Sequence, residues 1–216
     1  MAAYVAVPEH PAPARGIIVL QEAFGINNHI RNVTDRFAAE GYTAIAPELF
    51  HRTGPGFEGN YTDFASAMPH YQAITEPGLA ADLTAAYNWL LSRGVNQVAT
   101  VGFCLGGRVS FLANAVLPLR AAVSYYGGGI APSLLPRAKD QHGPILLFWG
   151  GQDNHISPDH VKAVTDALRA AGKHFVNVEF SQAGHAFNCD DRPSYNAAAA
   201  RESWALTLAF LKTHLA

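Results

Sequence analysis

Six short apolar segments, most of them rich in β-branched residues, recur along the chain with segments of helical spacing between them. Their apolar residues are continuous rather than alternating, which is typical of strands buried on both faces. We therefore predict six buried strands, at residues 16–20, 43–46, 98–103, 121–125, 145–149 and 175–180.

Helical periodicity fills the gaps between these strands. One segment repeats apolar side chains at helical spacing, at Leu79, Leu83, Tyr87 and Leu90. A later helix has well-defined ends, with Ser157 as the N-cap, Pro158 at the first helical position and Gly172 as the stop.

Strands that alternate with helices predict a mostly parallel central sheet, with right-handed crossovers and helices on both faces. The fold class is α/β in three layers, and we assign residues 1–216 to a single domain. Residues 51–77 have no clear period, so they form either a loop with a short helix or a partial lid.

Composition and charge narrow the choice of partners. The chain is 49% apolar and 15% charged, and its 15 Lys and Arg against 17 Asp and Glu include no basic run. This balance disfavours nucleic acid and anionic membranes as partners.

The first 16 residues lack the basic region and apolar core of a signal peptide, so we expect a cytoplasmic protein with no membrane contact. We expect a monomer or a weak homo-oligomer.

The most informative motif is Gly-Phe-Cys-Leu-Gly-Gly at residues 102–107, between a predicted strand and a predicted helix. It has the form of a nucleophile elbow, in which a tight turn lifts the central side chain above the sheet. The glycines permit the close approach of strand and helix, and the helix N-terminus favours a thiolate at Cys104. A lone cysteine is more often a buried core residue. The flanking glycines and the position of Cys104 favour a nucleophile instead.

A thiol nucleophile needs a base, and the base needs a group that orients it. Asp153 and His185 each follow a predicted strand, so both side chains emerge at the same edge of the sheet as Cys104. Alone, Asp153 would be a turn residue and His185 an ordinary histidine. Together they give the order nucleophile, acid, histidine that α/β-hydrolases use.

Glu22 follows the first predicted strand and also reaches this edge. The simplest interpretation is an exposed loop carboxylate. Beside a thiolate, however, a carboxylate would favour the protonated thiol by like-charge repulsion, so Glu22 could keep Cys104 protonated until substrate arrives. The backbone N–H groups of Ala23 and Leu105 could then hold a developing oxyanion.

Several motifs occur together in this sequence. They are Gln-Glu-Ala-Phe-Gly-Ile-Asn at 21–27, Ala-Pro-Glu-Leu at 46–49, the elbow at 102–107, Tyr-Tyr-Gly at 125–127, Gly-Gly-Gln-Asp at 150–153 and Ala-Gly-His-Ala-Phe at 183–187. With them the chain resembles the dienelactone hydrolase family over nearly its whole length. The resemblance implies an enzyme that opens an enol-lactone, as carboxymethylenebutenolidase does, without cofactor or metal.

The resemblance also implies a role for each candidate residue. Cys104 would be the nucleophile, His185 its base and Asp153 the group that orients His185. Glu22 would govern the state of the thiol. Ala23 and Leu105 would supply the oxyanion donors.

Two departures from the family pattern concern substrate binding and the N-terminus. The family's enzymes hold a substrate carboxylate with arginines, but residues 57–77 contain none, and Asn188-Cys189 stand where the second would follow His185. We therefore expect a substrate other than the carboxylate-bearing lactone, unless Arg192 or Arg52 takes over. The candidate substrate-binding residues are Phe24, Tyr126, Arg52 and Arg192. Little chain precedes Gly16, which puts the family's opening hairpin in question.

The remaining candidates carry weaker signals. Cys189 lies beside Asp190 and Asp191, so we expect an exposed or pocket-edge thiol whose pKa these acids raise, with no catalytic use. His155 and His160 lack the spacing of metal ligands, and we predict neither a metal nor a cofactor.

The sequence thus predicts a cysteine-dependent hydrolase that opens a lactone or cleaves a small ester through an acyl-thioester. One alternative is a thiol-based redox protein, against which the lack of a resolving cysteine near Cys104 counts. The other is a small-ligand binder on the same fold. A complete set of nucleophile, base and acid counts against it.

Overall fold

The computed structural model of the protein describes residues 1–9 and 14–216. Its strands are β1 (Ala3–Ala6), β2 (Arg15–Leu20), β3 (Thr43–Pro47), β4 (Gln97–Phe103), β5 (Ala121–Tyr125), β6 (Ile145–Gly150) and β7 (Phe175–Phe180). Its α-helices are α1 (Asn28–Ala39), α2 (Phe64–Gln72), α3 (Glu76–Ser92), α4 (Leu105–Val116), α5 (Pro158–Ala170) and α6 (Ala197–His214), with a 3-10 helix at Leu135–Asp140. All six predicted strands are confirmed to within a residue or two.

The strands form one sheet in the order β1-β3-β2-β4-β5-β6-β7. Strand β1 is antiparallel to β3, and every other neighbouring pair is parallel. Helices pack around the sheet, which confirms the predicted α/β class with a mostly parallel central sheet. The short N-terminal segment does form a strand, but it pairs with β3 and not with β2, the next strand in the chain.

The two edge strands differ from the central ones in burial. We expected residues 175–180 to be buried on both faces, and this is wrong for β7, whose residues are all exposed or half-buried. Side chains of a strand point to the two faces of the sheet, and helices cover these faces less completely at the edge, so the side chains of β7 keep contact with water. Strand β1 is also at an edge, and half of its four residues are exposed, which explains why no apolar run marked it.

The chain order places a ligand crevice between β2 and β4. From β2 the chain goes to β3 on one side, and then through α2 and α3 to β4 on the other side. Such a switch point leaves a crevice at the carboxyl ends of the two strands. Leu20 of β2 pairs with Gly102 of β4, so Glu22 and Cys104 emerge side by side at that crevice.

The predicted ends of α5 are confirmed. Ser157 accepts a hydrogen bond from the N–H of His160 at 3.2 Å, α5 begins at Pro158, and Gly172 has a φ of +65° just beyond the helix. The segment at 51–77 contains a short helix, α2, which agrees with the predicted alternative of a loop with a short helix.

Among the described helices, none combines the length and the apolar composition needed to cross a lipid bilayer. Part of the N-terminal segment in which we expected no signal peptide, residues 10–13, lies outside the described residues.

Candidate active site

Cys104 occupies a strained turn between β4 and α4. Its φ is 55° and its ψ is −112°, in the left-handed region that side chains rarely adopt. The backbone is fixed there, because the N–H of Cys104 donates to the carbonyl of Tyr125 at 3.0 Å. Cys104 is half-buried at the N-terminus of α4, whose first N–H groups have no acceptor within the helix.

Two glycines make this turn possible. A Cβ added at Gly102 would lie 1.9 Å from the carbonyl oxygen of Gly106, and one at Gly106 would lie 2.1 Å from the carbonyl oxygen of Leu20. Both contacts are with backbone atoms, which cannot move aside without displacing α4 or β2. The predicted steric reason for the glycines is confirmed.

Asp153 and His185 are joined by a short hydrogen bond. Oδ2 of Asp153 lies 2.7 Å from Nδ1 of His185, and Oδ1 accepts from the N–H groups of His155 and Ile156 at 2.7 and 3.2 Å. The Asp153 side chain is 1% exposed. With Nδ1 held by the carboxylate, Nε2 of His185 is the nitrogen available to a thiol.

Burial and hydrogen bonding compete in setting the charge of this pair. Burial is the largest single influence and would raise the pKa of Asp153, but the hydrogen bond and charge of His185 and the N–H and charge of His155 together outweigh it, so the pKa is lowered. Burial alone would lower the pKa of His185, but the Asp153 carboxylate and the nearby Cys104 raise it to about 10. The site therefore favours the charged imidazolium form of His185 beside an ionised Asp153.

Glu22 is wholly buried at the crevice, behind the side chains of Tyr61 and Arg192. The hydroxyl of Tyr61 donates to Oε2 of Glu22 at 2.9 Å, and Nη1 of Arg192 lies 3.7 Å from Oε1. The Tyr61 hydroxyl also accepts from the Asn27 amide at 2.8 Å and from the Cys189 thiol at 3.3 Å. Tyr61 and Arg192, which both line the cavity, thus lie next to the Glu22 carboxylate.

A cavity of about 430 Å³ opens above Cys104. It brings together six residues predicted from the sequence: Cys104, His185, Ala23, Leu105, Phe24 and Arg192. Arg192 also lies over two aromatic rings of the wall, 5.7 Å from the centre of Phe24 and 5.3 Å from that of Tyr61. The Arg192 guanidinium and several aromatic faces therefore line the same cavity as the thiol.

Two predicted substrate-binding residues lie away from this cavity. The Arg52 guanidinium is held by the buried Asp82, with contacts of 2.6 and 2.8 Å, and lines a separate small pocket. Tyr126 is wholly buried, and its ring centre is 5.2 Å from that of His185. It therefore supports the imidazole from behind.

The expectation of an exposed or pocket-edge Cys189 is wrong. The residue is wholly buried, and its thiol donates to Tyr61. Its pKa is raised to about 12, first by burial and next by the negative charge of Glu22. The neighbouring acids in sequence matter less because Asp190 and Asp191 lie at the surface.

Sequence reasoning missed several residues of the cavity wall. Tyr61, Phe64 and Tyr71 come from the aperiodic stretch, and His155 lies with its ring centre 5.1 Å from that of His185. A cluster of aromatic residues in a stretch with no strand or helix period could have indicated these wall residues.

Similarity to known proteins agrees with this geometry. The profile of the dienelactone hydrolase family matches residues 1–215. The chain belongs to the dienelactone hydrolase family. Membership makes it a hydrolase of ester or lactone bonds.

Relatives and solved structures support the assignment to dienelactone hydrolases. An Escherichia coli K12 protein named "Putative carboxymethylenebutenolidase" is 38% identical, over 99% of this chain and 83% of its own length. The crystal structure of a "Putative Dienelactone Hydrolase" from Klebsiella pneumoniae has a TM-score of 0.89 at 35% identity, covering 97% of this chain and 92% of its own. A dienelactone hydrolase-like promiscuous phosphotriesterase from metagenomic libraries, at 22% identity and a TM-score of 0.83, covers 100% and 99% and shares the fold.

We predict that Gly102→Ala destabilises the protein by about 3 kcal/mol or more, because the new methyl group would collide with backbone. The matched control is Gly128→Ala, whose Cβ would find its nearest heavy atom in Ile156 at 3.7 Å. It should cost less than about 1 kcal/mol. Urea unfolding followed by circular dichroism measures both, and equal costs would contradict the steric argument.

We predict that His185 stabilises the fold in a pH-dependent way. Its pKa rises from 6.5 to about 10 in the folded state, so its contribution is complete below pH 6.5 and is lost as the pH approaches 10. The difference in free energy of unfolding between wild type and His185→Asn should therefore shrink from pH 6 to pH 10. Urea unfolding at several pH values measures it, and a difference that grows with pH would refute the assignment.

Proposed function

We propose that the protein is a cysteine-dependent hydrolase that opens a lactone or cleaves a small carboxylic ester through an acyl-thioester at Cys104. The observation that carries the proposal is the 2.7 Å hydrogen bond between Asp153 and His185, at the wall of the cavity that Cys104 also lines. A nucleophile, a base and a group that orients the base are the parts that covalent acyl transfer requires.

In the first step, the thiolate of Cys104 attacks the carbonyl carbon and forms a tetrahedral intermediate. Its oxyanion would accept from the backbone N–H groups of Ala23 and Leu105, which line the cavity on either side of the crevice. The carbon–oxygen bond then breaks, and the leaving oxygen takes a proton from the His185 imidazolium. In a lactone, this oxygen stays attached to the acyl group.

In the second step, His185 removes a proton from water, and the hydroxide attacks the thioester carbonyl. Collapse of this intermediate breaks the carbon–sulfur bond, releases the carboxylic acid and restores the thiolate. Asp153 keeps the imidazole oriented throughout and stabilises its charged form. Neither step uses a metal or a redox change.

The cavity wall favours a small, partly apolar substrate. Its aromatic side chains, Phe24, Tyr61, Phe64 and Tyr71, leave about 430 Å³, at the small end of ligand pockets. Arg192 supplies positive charge at this wall. Because Arg192 reaches the cavity, we revise the expectation that the arginines for a substrate carboxylate are missing. We propose that Arg192 binds an anionic group of the substrate in competition with Glu22.

The two alternative functions fit the site less well. The second thiol, Cys189, is buried and held by Tyr61, so it is poorly placed to resolve an oxidised Cys104. A simple ligand binder would have no use for a strained turn and a buried carboxylate that orients a histidine.

Covalent trapping tests the nucleophile. We predict that Cys104→Ala abolishes hydrolysis of nitrophenyl acetate, since among the described residues that line the cavity no other carries a thiol. Intact-protein mass spectrometry after rapid acid quench should show one acetyl group on wild type and none on Cys104→Ala.

The matched control for this test is Cys189→Ala, which should acylate normally and keep its rate within about threefold, because Cys189 does not line the cavity. An acetylated Cys104→Ala protein, or one with full turnover, would remove the proposal. Consumption of peroxide by a wild type that does not hydrolyse esters would favour the redox alternative.

A pair of matched substrates tests the role of Arg192. We predict that Arg192→Gln lowers the ratio of kcat/KM for a carboxylated enol-lactone to that for a neutral ester by about 10- to 150-fold. A fall of this size corresponds to the loss of one charge-assisted hydrogen bond, which contributes roughly 1.5–3 kcal/mol. The control, Arg192→Lys, keeps the charge and should retain most of the ratio. An unchanged ratio in Arg192→Gln would exclude an anion clamp at this position.

A further inference from the structure

Beneath the cavity, three different potential metal ligands converge in a buried cluster. A carboxylate oxygen of Glu22, a ring nitrogen of His29 and Sγ of Cys189 all lie within 4.8 Å of one another. We propose that these three residues bind a thiophilic divalent cation, with Zn²⁺ as the best match. The cluster includes neither Cys104 nor His185, but it shares Glu22 with the proposed hydrolytic site.

Two atoms of the cluster lack hydrogen bonds to any described part of the chain. They are Oε1 of Glu22, whose residue is wholly buried, and Nε2 of His29, whose residue is 3% exposed. Arg192 lies 3.7 Å from Oε1, too far for a direct hydrogen bond. A buried polar atom without a partner is unfavourable, and a cation between the two atoms would satisfy both.

The orientation of His29 supports a role as a ligand. It lies in the first turn of α1, and its Nδ1 is 3.5 Å from Oδ1 of Asp190. Its ring packs edge-on against Phe103, with centres 5.8 Å apart. Metal-binding histidines commonly point one nitrogen at a carboxylate, which fixes the ring and presents the other nitrogen to the metal. With Nδ1 directed at Asp190, Nε2 is the nitrogen left for a cation.

The donor set selects the cation. A thiolate, an imidazole and a carboxylate suit Zn²⁺, which accepts three protein ligands and leaves a fourth position open. Mg²⁺ and Ca²⁺ prefer oxygen donors and would reject a thiolate. On binding, the Cys189 thiol gives up its proton to solvent and the sulfur bonds to the metal, so one proton is released for each Zn²⁺ bound.

Co²⁺ is the probe that reports a thiolate ligand, because sulfur-to-cobalt charge transfer absorbs in the near ultraviolet. The Cys104→Ala protein, stripped of metal with a chelator, removes the active-site thiol from the measurement. We predict that it binds one Co²⁺ with this band, and that Zn²⁺ displaces the Co²⁺ and removes the band.

Two variants in the same Cys104→Ala background decide the proposal. Adding Cys189→Ser should abolish the band, and adding His29→Phe, which keeps a ring against Phe103, should weaken Co²⁺ binding at least about tenfold. Cys189→Ser with Cys104 intact should hydrolyse esters like wild type, which shows that it folds. If that variant fails to fold, His29→Phe decides the question. Absence of saturable binding, or a band that survives in Cys189→Ser or is unweakened in His29→Phe, would overturn the site.

Discussion

The close approach of β4 to α4 is the constraint on which the site depends. Gly102 and Gly106 allow the two backbones to meet, and no larger residue fits at either position. The turn between them forces Cys104 into a left-handed conformation and places the free N–H groups of α4 next to its thiol. The position of Cys104 therefore follows from one steric requirement, and so would the oxyanion donor of the proposed mechanism.

Strain is concentrated around this turn. In the described chain, three residues other than glycine have positive φ, namely Cys104, Tyr126 and Ala186. They directly follow β4 and β5 or adjoin His185. The central strands below are almost wholly buried, and Phe103, Tyr125 and Phe148 stack across them with ring centres 4.6 to 4.7 Å apart. A rigid sheet of this kind can hold unfavourable backbone conformations in place.

The sequence predicted what depends on strand order. Cys104, Asp153 and His185 all follow strands of a parallel sheet, so their convergence could be inferred without coordinates. Arg52 could not be placed, because its partner Asp82 lies on a helix 30 residues later and captures the guanidinium. Tyr61 was missed since an aperiodic stretch gives no direction to its side chains. The burial of Cys189 could not be predicted either, because the acidic residues that follow it, Asp190 and Asp191, suggested an exposed segment.

The hydrogen bonds of Tyr61 have a consequence for molecular recognition. A phenolic hydroxyl has one proton to donate and two lone pairs to accept with. The proton goes to Glu22, and the lone pairs receive the Asn27 amide and the Cys189 thiol. All three hydrogen bonds of the Tyr61 hydroxyl are thus made with residues that do not line the cavity. Tyr61 therefore presents only its aromatic ring to a molecule in the cavity. It selects that molecule by shape and polarisability rather than by hydrogen bonding.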